Sequence, residues 1–201
     1  MMAEAMKHGS LLEYHDLIEA IVMAMEKRDQ HTAHHSLRVS NMTQFLCGTL
    51  NLTPDETGLF HISADLHDNG KLGVRDAVLL KESQLSEEEW GELRSHAAMG
   101  GDILGKVERF AAISKIVRHH HERWDGGGYP DGLAGDAIPF GSRIIAVADS
   151  VDAMLSNRSY RRSLSQEACR SEIERNIGKM YDPRVASAAL ASWDELLSVR
   201  L

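Results

Sequence analysis

The segment from Phe140 to Ser156 restricts the fold more than any other part of this chain. Ile144, Ile145, Val147, Ala148, Val151, Met154 and Leu155 make it strongly apolar and predict a central buried helix. Asp149 stands in the middle of that run. A carboxylate in such a place is costly unless it is paired or bound to a metal. The fold must therefore bring cations or fellow ligands to it. Arg143 and Arg158 are candidate partners, and a metal site is the alternative.

The rest of the chain reads as helices of the same kind. Residues 11–28 and 32–50 carry apolar side chains close to helical spacing. Thr53-Pro54-Asp55-Glu56 marks a helix start, with Thr53 as cap, and that helix is expected to run to about Asp68. Residues 79–85 form a connector. Ser86-Glu87-Glu88-Glu89 is a capping box ahead of a helix reaching about Leu104. Another spans about Glu108 to His120, and Ser165 and Asp182 each begin one more. Valine and isoleucine seldom cluster in alternating runs, so a sheet is not expected. Aromatics are 5% of the chain, so Leu, Ile, Val, Ala and Met must build the core. The expected fold is all-α, a single compact helical bundle of about seven or eight helices over residues 10–201, behind a flexible leader over residues 1–9.

Composition excludes several classes of function. The formal net charge is −8, and no Lys/Arg cluster exceeds Arg161-Arg162 with nearby Arg158, so a duplex-binding face is not expected. No apolar run approaches the ~18 residues of a membrane span. Residues 1–9 lack the apolar centre of a signal peptide. Cys47 and Cys169 lie far apart without CxxC spacing, which fits a reducing, cytoplasmic location. An anionic substrate would need a site where metal ions and a few cations invert the sign.

Such a site is written into the histidines. His31 and His35 are four apart, so on a helix they share a face. His67 and Asp68 are adjacent near a helix end. His96 follows, and His119-His120-His121 closes an apolar segment just before a loop rich in glycine. Singly, each has an ordinary explanation: a solvated surface histidine (the preferred reading of His34), a capping group, a local hydrogen-bonding pair. Together they supply what Asp149 lacks. Mixed imidazole and carboxylate ligation suits iron, manganese or zinc and argues against magnesium. No Ser-His-Asp or Cys-His arrangement supports covalent catalysis instead.

His67-Asp68-Asn69-Gly70-Lys71 resembles the HDxGK signature of the HD phosphohydrolase superfamily, and residues 120–130, HHERWDGGGYP, resemble the HHExxDGxGYP signature of its HD-GYP branch. The resemblance extends over residues 26–190. It implies a metal-dependent phosphodiesterase that hydrolyses cyclic di-GMP to the linear dinucleotide, and in many members on to GMP, at a centre of two or three divalent ions, commonly iron or manganese. Carried over by position, the implied metal ligands are His35, His67, Asp68, His96, His120, His121 and Asp149, with Asp68 bridging two ions. Lys71 is implied near the scissile phosphate, beside Asp68 as the second catalytic position. Tyr129, Arg158, Arg161 and Asp29 are implied to contact the dinucleotide.

Three positions depart from the pattern. Asn69 stands where the family usually has an aliphatic residue. His31 stands where members with three metals carry Glu and many others Tyr. Histidine can ligate, so two readings stay open, a third metal position or a rim residue beside a two-metal site, and the second is preferred. His119 is an extra histidine, expected to point away from the site. The family's usual sensory domain has no room in 201 residues, which leaves a stand-alone module or a trimmed chain. Two other functional readings are an HD phosphohydrolase acting on another cyclic nucleotide, and a catalytically weak module that binds nucleotide or a GGDEF-domain partner through the GYP loop. A homodimer through the N-terminal helix is a further expectation.

Overall fold

The computed structural model describes residues 15–28, 34–157 and 162–200, with side chains from residue 18 onward save residue 26. The leader, Asp29, His31, Arg158 and Arg161 lie outside the described residues.

The described residues contain no strand and fold into helices α1 (His15–Arg28), α2 (His35–Thr49), α3 (Pro54–Asp65), α4 (Asp76–Leu79), α5 (Glu87–Arg94), α6 (His96–Leu104), α7 (Ala111–Arg118), α8 (Phe140–Leu155), α9 (Gln166–Arg175), α10 (Pro183–Ala191) and α11 (Trp193–Ser198). The all-α expectation holds. Thr53 and Ser86 each close a capping box, and Ser165 and Asp182 cap α9 and α10. The apolar segment is indeed the axis of the bundle. On α8, Ile144, Ile145, Val147, Ala148 and Val151 are all buried, packed with Val39, Met42 and Leu46 of α2 and with Val185, Ala186 and Ala189 of α10. A smaller cluster joins Ile18 of α1, Ile62 of α3, Leu104 of α6 and Ile113 and Val117 of α7.

The structure divides two segments that the sequence reads as single helices, and it adds the short α4 just ahead of the expected connector. The break at Ser95 separates α5 from α6, and the break at Ser192 separates α10 from α11. Two other helices stop short of their expected ends, at Asp65 and at Arg118. The stop after α3 has a local cause: the His67 imidazole takes the Ala64 carbonyl, and a 3-10 turn over Asn69–Gly73 follows. Three of these four departures fall at candidate ligands. His96 becomes the first residue of a new helix, and His67, Asp68, His120 and His121 lie in turns rather than on helix faces.

Candidate metal centre

Three histidines share one local device. His67 Nδ1 donates to the Ala64 carbonyl at 2.7 Å, His96 Nδ1 to Leu93 at 2.7 Å and His120 Nδ1 to Val117 at 2.6 Å. In each case the acceptor is the carbonyl three residues earlier, which a helix end leaves free. A carbonyl can only accept, so each Nδ1 carries the proton and each Nε2 presents a lone pair. This is the usual fixing of a metal-ligating histidine from behind.

The lone pairs converge. His96 Nε2 and His120 Nε2 stand 3.4 Å apart. Neither has a proton to give the other, so this is a pair of buried acceptors in want of a cation. Ligand atoms of His96, His120 and His121 lie within 4.8 Å of one another, and so do those of His35, His67 and Asp149. Asp68 stands between the two groups. Its Oδ1 is 3.4 Å from His96 Nε2, and its Oδ2 is 3.4 Å from His67 Nε2 and 3.9 Å from His35 Nε2. Lys71 Nζ reaches the same Oδ2 at 2.7 Å. This donor set fits divalent ions: buried imidazole nitrogens and carboxylate oxygens converge on one place.

Close packing of backbone makes the convergence reachable. A Cβ on Gly70 would overlap the His96 carbonyl, so only glycine lets the Asn69–Gly73 turn lie against the start of α6. Gly128 does the same for the loop after the histidine tract, where a Cβ would overlap the backbone of Glu122 and Arg123. That loop is tied down by Trp124 and Asp125, whose amides donate to the carbonyls of Met180 and Lys179. It sets the Tyr129 ring 4.9 Å from the His121 ring, with the Arg94 guanidinium 5.9 Å from the tyrosine centroid.

His35 is held differently. As the first residue of α2 it donates Nδ1–H to Asp152 Oδ2 at 2.7 Å, and its Nε2 lies 3.3 Å from Asp149 Oδ1. Asp152 is fully buried and also accepts from Arg38 Nε at 2.7 Å and Arg200 Nε at 2.8 Å. Arg143, one of the two arginines considered for Asp149, is not used that way. Arg143 goes instead to Asp136 and Asp182, each at 2.8 Å, because it projects toward the α10 cap rather than the centre. Arg158 lies outside the described residues.

The charges are set for ligation. Burial lowers the pKa of His96, drives that of His120 far down and takes His121 to about 3, with neighbouring imidazoles adding to the effect. These rings are neutral at physiological pH. Burial opposes the charged carboxylate of Asp68, but Lys71 and then the surrounding histidines hold its pKa well below the ordinary range. His35 likewise keeps Asp149 ionised despite burial. His35 is the exception among the histidines. Burial pulls it down, yet hydrogen bonds to Asp149 and Asp152 win and raise it to about 9.

The structure thus brings together His35, His67, Asp68, Lys71, His96, His120, His121 and Asp149, with Tyr129 at the rim. His119 turns the other way, to Asp131. Asn69 is buried against Gly100, with its Oδ1 unpartnered. Sequence reading gave no role to Asp152, Arg38 and Arg200. Asp152 was within reach, since it lies one helical turn from Asp149 on the same face of α8.

An HD domain family model matches residues 18–185, a span that contains every one of these ligand candidates. This chain belongs to the HD domain family. Its residues 120–130 carry the GYP loop of the HD-GYP branch. HD domain phosphohydrolases are metal-dependent, which agrees with the donor set here. This HD domain is 37% identical over 177 residues to the cyclic di-GMP phosphodiesterase response regulator RpfG of Xanthomonas campestris pv. campestris, covering 87% of this chain and 47% of that protein. It is 33% identical over 187 residues to 3'3'-cGAMP-specific phosphodiesterase 2 of Vibrio cholerae, covering 92% of this chain and 36% of that protein. The V. cholerae cyclic GMP-AMP phosphodiesterase V-cGAP3 shares the fold, with TM-score 0.71 at 19% identity over 90% of this chain and 49% of that one. The chain therefore spans about half, or less, of the length of these relatives. No helix among the described residues is long and apolar enough to cross a membrane.

Proposed function

We propose that this HD domain is a metal-dependent phosphodiesterase that hydrolyses cyclic di-GMP to the linear dinucleotide, and that dinucleotide onward to GMP, at a centre of two iron or manganese ions. One observation carries the reading: the outward lone pairs of His67, His96 and His120 meet the carboxylates of Asp68 and Asp149 beneath a loop that holds Tyr129. His35, His67 and Asp149 would hold one ion and His96, His120 and His121 the other, with Asp68 offering one oxygen to each. When bound, such ions supply positive charge at a phosphate and a water acidic enough to attack near neutral pH. Imidazole and carboxylate donors together suit iron and manganese.

The chain's own residues do the rest. Asp152 fixes the His35 ring through Nδ1 and keeps its Nε2 turned to the centre. Lys71 is held at Asp68 with part of its side chain open to solvent, a position from which its ammonium can meet the phosphate and stabilise charge developing there. Tyr129 presents a ring for a guanine to stack on, with Arg158, Arg161 and Asp29 completing the dinucleotide contacts. His31 is a rim residue in this reading. Hydrolysis adds the water oxygen to phosphorus, breaks one phosphorus–ribose oxygen bond and leaves the proton on that ribose oxygen.

The substrate assignment draws on relatives named for cyclic di-GMP, alongside others named for 3'3'-cGAMP. The test is a panel of cyclic di-GMP, 3'3'-cGAMP and cyclic di-AMP on protein loaded with Mn²⁺ or Fe²⁺. Cyclic di-GMP should give the highest kcat/KM, and Lys71→Met should lower kcat by roughly 10²–10³, as loss of a preorganised cation does. A preference for another member of the panel would move the substrate. Turnover equal in the Lys71 variant would remove Lys71 from the chemistry.

A further inference from the structure

The extra histidine ahead of the pair has its own surroundings, on the far side of the backbone from the centre. His119 Nδ1 donates to the Lys115 carbonyl at 2.7 Å, the same kind of backbone anchor that fixes the central histidines. Its Nε2 therefore faces out, 2.9 Å from Asp131 Oδ2. Glu122 closes the corner. Its Oε1 accepts from the Asp131 amide at 2.8 Å, while its Oε2 is buried without any partner. Glu122 is 4% exposed, so that oxygen is not satisfied by bulk water. Ligand atoms of His119, Glu122 and Asp131 lie within 4.8 Å of one another.

The His119 imidazole, anchored through Nδ1–H, meets a carboxylate oxygen of Asp131 at 2.9 Å, and Glu122 brings a buried, unpartnered oxygen to the same corner. Among the described residues, the guanidinium against them is that of Arg118, which grips Asp131 through Nε to Oδ2 at 2.8 Å and Nη2 to Oδ1 at 2.9 Å and leaves the Glu122 oxygen untouched. Two carboxylates thus share one guanidinium and one imidazole. Its outer side is open, since the Asp131 side chain is 38% exposed, so waters can complete a coordination shell.

We propose that His119, Glu122 and Asp131 form a second, non-catalytic site for a divalent transition ion such as zinc or manganese. One imidazole and two carboxylates are a fitting donor set for these ions. Asp131 directly follows Pro130, and His119 directly follows α7. The ion would pin the two ends of the loop that carries Tyr129.

Zinc alone is the probe. Wild type, His119→Gln and Asp131→Asn are dialysed against graded free Zn²⁺ and measured by elemental analysis, with amide exchange over residues 122–131 on the same samples. Wild type should bind one equivalent more than either variant, and zinc should slow loop exchange in wild type only. Equal uptake by all three would overturn the site and leave a plain Arg118–Asp131–His119 ion-pair network. Loss in His119→Gln with full uptake in Asp131→Asn would also overturn it, because the effect would then pass through neighbouring His120. The central reading fails by a different result, namely no metal lost on His67→Ala.

Discussion

Asp152→Asn separates the support of the centre from the centre itself. The carboxylate is fully buried and takes hydrogen bonds from His35, Arg38 and Arg200 at 2.7–2.8 Å. An asparagine of the same shape can still accept the His35 Nδ1–H through its oxygen. Its amide then turns two donors toward two guanidiniums. Breaking a buried ion pair costs ~3–5 kcal/mol, and because Arg38 and Arg200 are 23% and 18% exposed the lower end, about 3 kcal/mol, applies. That corresponds to a fall in Tm of about 6–12 °C for a chain of this size. The second consequence is at the metal. The carboxylate no longer polarises His35 from behind, which lowers affinity roughly 10- to 100-fold, or ~1.4–2.7 kcal/mol. Arg200→Ala is the control: it removes one partly exposed cation and should cost about 1 kcal/mol of stability without changing metal affinity. Thermal unfolding of the metal-free proteins gives the first quantity and chelator competition the second. If Asp152→Asn holds metal as tightly as Arg200→Ala does, His35 is not a ligand positioned by Asp152, and the reasoning is wrong.

Further outcomes follow from the same geometry. Asp68→Ala should abolish metal binding while circular dichroism stays helical, because Asp68 faces both ligand groups and belongs to no apolar cluster; full metal content would remove it as the bridge. His35 has its pKa raised to about 9, so near pH 7.5 it carries two ring protons when metal-free and must release one on ligation. Metal affinity should then rise about tenfold per pH unit from about 7 to 9 and level off above, and calorimetry in buffers of different ionisation enthalpy that finds no proton release would contradict this. His96, His120 and His121 have lowered pKa values, so the unfolded chain takes up protons that the folded one refuses. Stability of the metal-free protein should therefore fall as pH drops below about 6.5, and a flat acid limb in denaturant titrations would count against the buried neutral rings. Asn69→Leu removes a buried, unpartnered oxygen and should be neutral or stabilising by about 1 kcal/mol in the same titrations; a loss of that size would mean Asn69 makes an interaction the centre needs.

Much of this was legible in the residues. Asp149 inside an apolar run demands partners on energetic grounds alone, and the structure supplies His35 at 3.3 Å. The buried role of α8 follows from its periodicity, and the helix starts at Thr53, Ser86, Ser165 and Asp182 from capping chemistry. The helix ends near the ligands were less legible. Periodicity carries the third helix to Asp68 and the seventh to His120, whereas the histidine side chains take the terminal carbonyls and the chain turns early. The break at Ser95 has no glycine or proline to announce it. Asp152 was hidden by its company, since nothing in the sequence says that Arg38 and Arg200, 114 and 48 positions away, close on it. The Glu122 corner depends on one unpartnered oxygen, which only the packed structure exposes.

Anaerobic purification followed by elemental analysis, with a cyclic di-GMP turnover assay on the same sample, tests the central claim most directly. The account predicts at least two iron or manganese equivalents per chain, turnover to the linear dinucleotide, and loss of both in Asp68→Ala. Protein that holds no metal and gives no turnover after reloading with Fe²⁺ or Mn²⁺ would contradict it and leave a nucleotide- or partner-binding module.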